Sequence, residues 1–230
     1  MATRRSPRAL GRGGIDQLLL KKGAEASLFL EDWHNRKVIM KKRLPKDYRL
    51  SQLDEQIRTY RTVHEPQLIH RAKEAGVPTP TIFMVDTKGS TIVMEYVEGK
   101  QVKQALNNFD EEKRLSLCRD IGESIGQLHA HGVIHGDLTT SNMILTPYGK
   151  VFLVDFGLGE YSEELEIRGV DLHLMKRAFQ STHFRFAEEC FKAVVEGYAK
   201  IVGKETAKDV LAKIKEIERR GRYMAEREER

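Results

Sequence analysis

Four polar side chains in the middle of this 230-residue sequence have the types and spacing needed to handle phosphate and a metal ion. His135, Asp137 and Asn142 lie in one short stretch, and Asp155 follows it after a predicted hairpin at 143–154. Carboxylate and amide oxygens that converge from adjacent loops can coordinate a hard cation such as Mg²⁺. Phosphate is anionic, so its transfer depends mainly on positioning and charge neutralisation.

The residue types and spacing in these two loops resemble those of the protein-kinase superfamily. Residues 135–142 have the form of a catalytic loop, H-x-D-x-x-x-x-N, and residues 155–157 form a D-F-G turn. The resemblance implies that Asp137 accepts or orients the proton of the nucleophile. It also implies that Asn142 and Asp155 hold the Mg²⁺ ions that bridge the phosphates of ATP. His135 is expected to pack and hydrogen-bond behind the D-F-G turn.

The first half of the sequence supplies candidates for holding the nucleotide. Residues 38–41, Val-Ile-Met-Lys, resemble the V-A-I-K strand of kinases, whose lysine contacts the α- and β-phosphates. Lys41 is therefore the candidate, although strand alternation does not exclude the adjacent Lys42. Glu65 is the expected partner from the following helix.

Two further segments take their ATP-binding roles from the same resemblance. The position of the Gly-rich loop is occupied by Gly23, Ala24, Glu25 and Ala26, with a single glycine. The position of the adenine-binding hinge is occupied by Met94, Glu95, Tyr96 and Val97. ATP and Mg²⁺ are thus the expected ligands.

Apolar periodicity predicts a β-rich first half and an α-rich second half. Short strands are predicted at 18–20, 26–30, 37–41, 81–85 and 91–96, and helices at 110–132, 170–179, 184–202 and 205–219. A further helix from about residue 51 contains Pro66, which predicts a kink or two successive helices. The fold class is α+β, a bilobal kinase-like fold with a small β-rich N-lobe and a reduced helical C-lobe. The predicted divisions are a basic disordered tail at 1–14, the N-lobe at 15–97, the C-lobe at 98–218 and a charged tail at 219–230.

Two absences distinguish the sequence from an ordinary protein kinase. Only twelve residues separate Gly157 from the helix predicted near Val170, and no A-P-E element follows. Thr139 stands where protein kinases usually have a phosphate-contacting lysine. We therefore expect a minimal, atypical kinase that does not dock peptide substrates on an activation segment.

Composition and charge restrict the location and the partners. No apolar run approaches the ~20 residues that a membrane span needs, and Cys118 and Cys190 show no metal-ligand or disulfide spacing. We expect no membrane association and a cytoplasmic location. The net charge of +5 is concentrated at residues 1–14, 36–49 and 219–222. Such clusters attract nucleic acid phosphates, although they are also typical of solvated surfaces.

Several longer motifs together resemble one small family, the kinase-like subunit of the KEOPS (EKC) complex. These motifs lie at 23–26, 41–49, 61–62 (before Glu65), 75–80, 135–142, 168–172 and 181–183, and the resemblance covers residues 15–222. It implies ATPase and serine/threonine kinase activity in support of threonylcarbamoyladenosine modification of tRNA. The implied partners are the tRNA-modifying subunit, the other KEOPS subunits and tRNA itself, the last through the basic clusters.

Three other interpretations remain open at this point. A RIO-type kinase of ribosome assembly also has a shortened activation segment, and aminoglycoside-type phosphotransferases share the His-Gly-Asp spelling. The D-F-G turn and the short C-terminal half disfavour the phosphotransferase. A non-catalytic pseudokinase is disfavoured because Lys41, Asp137, Asn142 and Asp155 are all present.

Overall fold

The structure is a computed structural model that describes residues 18–228, with the backbone alone for residues 221–228. The tail predicted at 1–14 lies outside this range. Within it, ten strands and six α-helices follow the predicted order of a β-rich and then an α-rich half, which confirms the α+β class.

One antiparallel sheet and one long helix form the N-terminal part. The strands are β1 Leu18–Lys22, β2 Ser27–Trp33, β3 Arg36–Lys42, β4 Ile82–Asp86 and β5 Thr91–Glu95, and helix α1 is Ser51–Glu74. The strand order is β1-β2-β3-β5-β4, so β3 is paired on both sides. This central place holds the lysine-bearing strand rigidly against its neighbours.

Helix α1 continues through Pro66 without a break. The predicted division into two helices is therefore wrong. A proline removes one backbone N–H from the helix, but Thr62 and Glu65 before it and Leu68 and Ile69 after it are all buried. These tertiary contacts hold both sides of the helix, because packing contributes more to helix stability in proteins than local propensity does.

The C-terminal part is mainly helical. Its short strands are β6 Lys100–Gln101, β7 Val133–Ile134, β8 Met143–Leu145, β9 Val151–Leu153 and β10 Glu160–Tyr161, and its helices are α2 Val102–Ala105, α3 Glu111–Ala130, α4 Leu165–Thr182, α5 Ala187–Val202 and α6 Lys204–Glu228. Asp110 caps α3 as predicted, since its side chain accepts a hydrogen bond from the backbone N–H of Lys113 at 2.8 Å. Strands β8 and β9 form the predicted hairpin.

Three helix limits differ from the sequence-based prediction. Helix α4 begins at Leu165 instead of near Val170, and α6 continues to Glu228. A 3-10 turn at Phe184–Phe186 precedes α5. These differences are expected because helix ends depend on capping and packing that the apolar pattern does not specify.

Close packing of α3 against α5 forms the centre of the C-terminal core. Gly197 faces the backbone of α3, and a Cβ there would lie 2.0 Å from the carbonyl oxygen of Arg119. Ile121, Ile125 and Val194 are fully buried at this contact. The catalytic-loop region is therefore built on a rigid helical base. Among the described residues, no helix combines the length and apolar character that crossing a membrane requires.

Candidate active site

A cluster of buried charges joins β3, α1 and the turn at residue 155. The Nζ atom of Lys41 lies 2.7 Å from Oε1 of Glu65 and 2.6 Å from Oδ1 of Asp155. Arg43, on the same face of the chain as Lys41, donates to the other carboxylate oxygen of Glu65. Lys42 points to solvent. The structure thus resolves the choice between the two lysines in favour of Lys41.

The charges in this cluster stabilise one another in their ionised forms. Burial opposes the charge of Lys41, but the carboxylates of Glu65 and Asp155 outweigh it and raise the Lys41 pKa. Burial likewise opposes the ionisation of Asp155, and the Lys41 ammonium nevertheless holds the Asp155 pKa below its usual value. Both groups are therefore charged at neutral pH, as phosphate and metal binding require.

The catalytic-loop candidates Asp137 and Asn142 are held together. The amide nitrogen of Asn142 donates to the backbone oxygen of Asp137 at 3.0 Å and to its carboxylate Oδ2 at 2.7 Å. Gly136 precedes Asp137 with a φ of +78°, and a Cβ there would lie 2.1 Å from the carbonyl oxygen of Leu158. Glycine is needed at 136 because the segment after the D-F-G turn passes directly over the loop.

His135 supports the D-F-G turn from behind, which confirms its predicted role. Its Nδ1 accepts the backbone N–H of Asp137 at 3.2 Å, so the ring proton lies on Nε2, which is 3.2 Å from the carbonyl oxygen of Val154. The ring packs against Phe156 with centroids 4.5 Å apart. Asp155, the first residue of the D-F-G turn, has a φ of +68°. This is a left-handed conformation that aspartate tolerates better than most residues.

Asp171 anchors the catalytic loop to α4, a function that the sequence reasoning did not assign. Its carboxylate accepts the backbone N–H groups of His135 and Gly136, each at 2.9 Å, and Nε2 of His129 at 3.2 Å. Burial raises the pKa of Tyr198 to about 12, so its hydroxyl keeps the proton that it shares with Nδ1 of His129. The available signal was the family motif at 168–172, which contains Asp171.

A cleft of about 620 Å³ between the sheet and the helical part is suited to a nucleotide. Met94, Tyr96 and Val97 of the predicted hinge line it, together with Lys41, Glu65, Asn142 and Asp155. Glu95 differs from its neighbours because its carboxylate accepts the backbone N–H of Thr81 at 2.9 Å. Its side chain is thus engaged within the protein.

A second cavity of about 260 Å³ adjoins the first at its Asp155 end. The predicted loop residues Gly23, Ala24, Glu25 and Ala26 line it, with Lys41, Asp137 and Asp155 on its other walls. Gly23 closes a tight turn by donating its N–H to the Ala26 carbonyl at 2.9 Å. The structure therefore brings every predicted loop residue, the lysine and the catalytic-loop aspartate around one space.

Two arginines in this second cavity were missed from the sequence. Arg43 and Arg61 both line it, and Arg61 pairs with Glu25 at 2.5 Å. The signal for Arg43 was its position two residues after Lys41, which places both on one side of an extended chain. Arg61 lies one helical turn before Glu65, since residues four apart share a helix face.

The donor set fits Mg²⁺ that arrives with a nucleotide. Mg²⁺ is usually held by one or two carboxylates together with substrate phosphates and water. Asp155 offers a second oxygen besides the one facing Lys41, and its side chain is 43% exposed. Asn142 turns its amide nitrogen toward Asp137, which leaves the amide oxygen as the atom suited to a metal ion. Among the described residues, no cluster of three or more His, Cys, Asp or Glu side chains could hold a metal.

Comparison with known proteins identifies relatives over most of the chain. The protein kinase domain family matches residues 22–195. The KEOPS complex subunit Bud32 of Pyrococcus abyssi is 47% identical over 211 residues, covering 89% of this chain and 96% of that protein.

Longer relatives contain a similar segment. The probable bifunctional tRNA threonylcarbamoyladenosine biosynthesis protein of Methanothermobacter thermautotrophicus is 46% identical over 205 residues. The chain spans about a third of that protein's length, 36%. The solved Rio2 kinase of Chaetomium thermophilum matches with a TM-score of 0.58 at 19% identity, covering 86% of this chain and 71% of that one. At this identity the likeness concerns the fold alone.

Proposed function

The chain belongs to the protein kinase family and, within it, to the family of the KEOPS complex subunit Bud32, and from this premise we propose its function. It is an atypical Mg-ATP-dependent serine/threonine kinase or ATPase in a cytoplasmic KEOPS complex. There it supports threonylcarbamoyladenosine modification of tRNA, the process named for its bifunctional relatives.

One observation supports the catalytic part of this proposal above all others. Lys41, Asp137 and Asp155, which are far apart in sequence, surround the same cavity, and Asn142 holds Asp137 in place. A pseudokinase scaffold would not need all four groups in this arrangement. Their convergence supports phosphate chemistry, because the arrangement supplies a cation, a nucleophile-orienting carboxylate and metal-binding oxygens at one point.

Each side chain then has a definite task. Lys41, fixed by Glu65, binds the α- and β-phosphates and positions the nucleotide. Asp137 accepts or orients the proton of the attacking hydroxyl or water. Asn142 and Asp155 would hold Mg²⁺, which would neutralise the charge of the phosphates.

The short segment after the D-F-G turn favours an acceptor supplied by a partner protein. Only residues 158–164 separate Gly157 from α4, and they contain the two-residue strand β10. This length offers no extended platform for a peptide. We therefore propose that the tRNA-modifying subunit and the other KEOPS subunits either bring the acceptor to the site or serve as the acceptor themselves. The isolated chain should then phosphorylate generic peptides poorly.

The alternatives have weaker support. The likeness to Rio2 kinase fits a RIO-type enzyme, but its 19% identity concerns the fold. The sequence relatives at 47% and 46% identity carry KEOPS and threonylcarbamoyladenosine names. An aminoglycoside-type phosphotransferase has no comparable support among these relatives.

ATP turnover by the purified chain tests the proposal. Turnover is measured for the chain alone, then with the tRNA-modifying subunit, then with tRNA added. We expect slow hydrolysis that increases on assembly and disappears in Asp155→Ala, with an unchanged circular dichroism spectrum. Equal turnover in wild type and Asp155→Ala would show that another site or a contaminant is responsible.

A further inference from the structure

Arg61 is a cation at the phosphate end of the cleft that pairs with a single, partly exposed carboxylate. The cationic side chains lining this cavity are Lys21, Lys41, Arg43 and Arg61. Lys41 contacts two carboxylates and Arg43 pairs with the buried Glu65. Arg61 instead faces Glu25, whose side chain is 40% exposed on the loop between β1 and β2. Such a partly exposed pair is held weakly.

The contact between Arg61 and Glu25 leaves hydrogen-bonding capacity unused. Nη1 of Arg61 lies 2.5 Å from Oε2 of Glu25, but the pair lacks hydrogen-bond geometry. This nitrogen is buried, and its N–H bonds are poorly directed at the carboxylate oxygen that it contacts. A buried guanidinium whose hydrogen-bonding capacity is not fully used is less stable than a well-paired one, so an incoming anion with better geometry would stabilise it.

The catalytic loop itself supplies no positive charge. Between Asp137 and Asn142 the residues are Leu, Thr, Thr and Ser. A phosphate next to Asp137 would meet that carboxylate without a compensating cation from the same loop. Arg61 lines the same cavity of about 260 Å³ from the side of α1. Its planar, permanently charged guanidinium is well suited to two phosphate oxygens.

We propose that Arg61 binds the terminal phosphate of the nucleoside triphosphate and that Glu25 occupies Arg61 until the phosphate displaces it. Arg61 would then distinguish a triphosphate from a diphosphate, which lacks the group that it contacts. Glu25, whose other carboxylate oxygen accepts a hydrogen bond from Arg49 at 3.3 Å, would act as a competitor for Arg61. This inference rests on the proposed ATP-dependent function.

Nucleotide binding by the full-length chain tests the roles of both residues. Affinities for Mg-ADP and for a non-hydrolysable Mg-ATP analogue are measured by titration calorimetry for wild type, Arg61→Ala, Arg61→Lys and Glu25→Gln. Arg71→Ala is the matched control, since Arg71 lies on the same helix with 65% of its side chain exposed. Thermal unfolding verifies that each variant is folded.

We expect Arg61→Ala to lose about 10-fold or more in triphosphate affinity, as for a lost charge-assisted contact, and little in diphosphate affinity. Arg61→Lys should recover part of the loss, and Glu25→Gln should bind the triphosphate as well as wild type or better. Parallel losses for both nucleotides in Arg61→Ala and Glu25→Gln would assign the pair a structural role and overturn the inference. Unchanged binding in Arg61→Ala would overturn it as well. If wild type bound neither nucleotide, the proposed function itself would fall, and the inference with it.

Discussion

Glu65 uses both of its carboxylate oxygens inside the protein, one for Lys41 and one for Arg43. All three side chains are at least nine-tenths buried. Removing one member of a buried ion cluster leaves an uncompensated charge, which costs more than the pair contributes. The lysine proposed to position the nucleotide is therefore held in place before any ligand binds.

Replacing the proposed proton acceptor should slow the reaction without weakening nucleotide binding. Asp137→Asn preserves the shape of the side chain but removes the negative charge that orients the nucleophile. We expect turnover in the assembled complex to fall by about 10²-fold or more, while ATP affinity stays near the wild-type value. Single-turnover kinetics and nucleotide titration separate the two effects. A large loss of ATP affinity would instead indicate that Asp137 has a structural role.

The Asp155 carboxylate should make stability depend on acid pH. Its pKa is lowered in the folded protein, so the stabilisation is fully present above about pH 4, the ordinary aspartate range. It is lost as the pH falls through the lower folded-state pKa. We expect the free energy of unfolding to fall more steeply below about pH 4 in wild type than in Asp155→Asn.

Urea unfolding between pH 6 and pH 2 measures this dependence. Asp47→Asn, at an exposed position in the loop before α1, is the matched control and should follow the wild-type curve. Parallel curves for wild type and Asp155→Asn would contradict a stabilising interaction between Asp155 and Lys41.

At the scale of elements, two helices position the site from opposite sides. Helix α1 presents Arg61 to the smaller cavity and Glu65 to the larger one, and α4 presents Asp171 to the backbone of the catalytic loop. The loop itself is too short to be rigid without such support. Its geometry depends on the carboxylate of Asp171 accepting three donors.

Removing that acceptor should loosen the loop. In Asp171→Asn, the amide retains one oxygen and introduces two N–H donors among groups that already donate. We expect a loss of about 1–3 kcal/mol in the free energy of unfolding, the usual cost of an unsatisfied buried polar group, together with reduced turnover. Asp209→Asn, exposed on α6, is the control. If Asp171→Asn matched wild type in both stability and turnover, the loop would be held by other contacts.

At the scale of the whole molecule, the basic clusters are not equivalent. The cluster at 36–49 is divided, because Lys41 and Arg43 are buried in the site whereas Arg36, Lys37 and Lys42 are exposed. The second cluster lies on α6, where Arg220 pairs with Glu166 of α4 and Arg219 is exposed. Part of the charge expected to face nucleic acid therefore serves the active site instead.

The α6 cluster should contribute to tRNA contact. Because each neutralised phosphate releases counterions, log affinity falls linearly with log salt concentration. Replacing Arg219, Arg220 and Arg222 by Ala should lower tRNA-stimulated ATP hydrolysis by the assembled complex. It should also reduce the salt slope by about one unit per arginine in contact.

Three exposed lysines on the same helix provide a control with an equal charge change. They are Lys204, Lys208 and Lys215. Nucleotide binding should be unchanged in both triple variants, because none of the α6 side chains that the structure describes lines either cavity of the cleft. Equal tRNA stimulation in both variants and in wild type would show that the arginines form a solvated surface.

The sequence alone determined the features that depend on short runs of characteristic residues. Such runs identify the catalytic loop, the D-F-G turn and the strand bearing Lys41. Most strands and helices follow from apolar periodicity, since one face of each must be buried. Only the tertiary structure decided which of two lysines enters the site. Lys41 and Lys42 are adjacent at the end of the strand pattern, and only burial distinguishes them.

Dependence on tertiary contacts also explains which site residues the sequence reasoning missed. Arg43, Arg61 and Asp171 gain their significance from partners distant in the chain, respectively Glu65, Glu25 and the N–H groups of the catalytic loop. Pro66 predicts a kink or two successive helices, yet α1 continues through it as one helix because buried residues on both sides hold it. Motifs and periods are local properties of the chain, whereas charge pairing and helix continuity depend on contacts that exist only once it has folded.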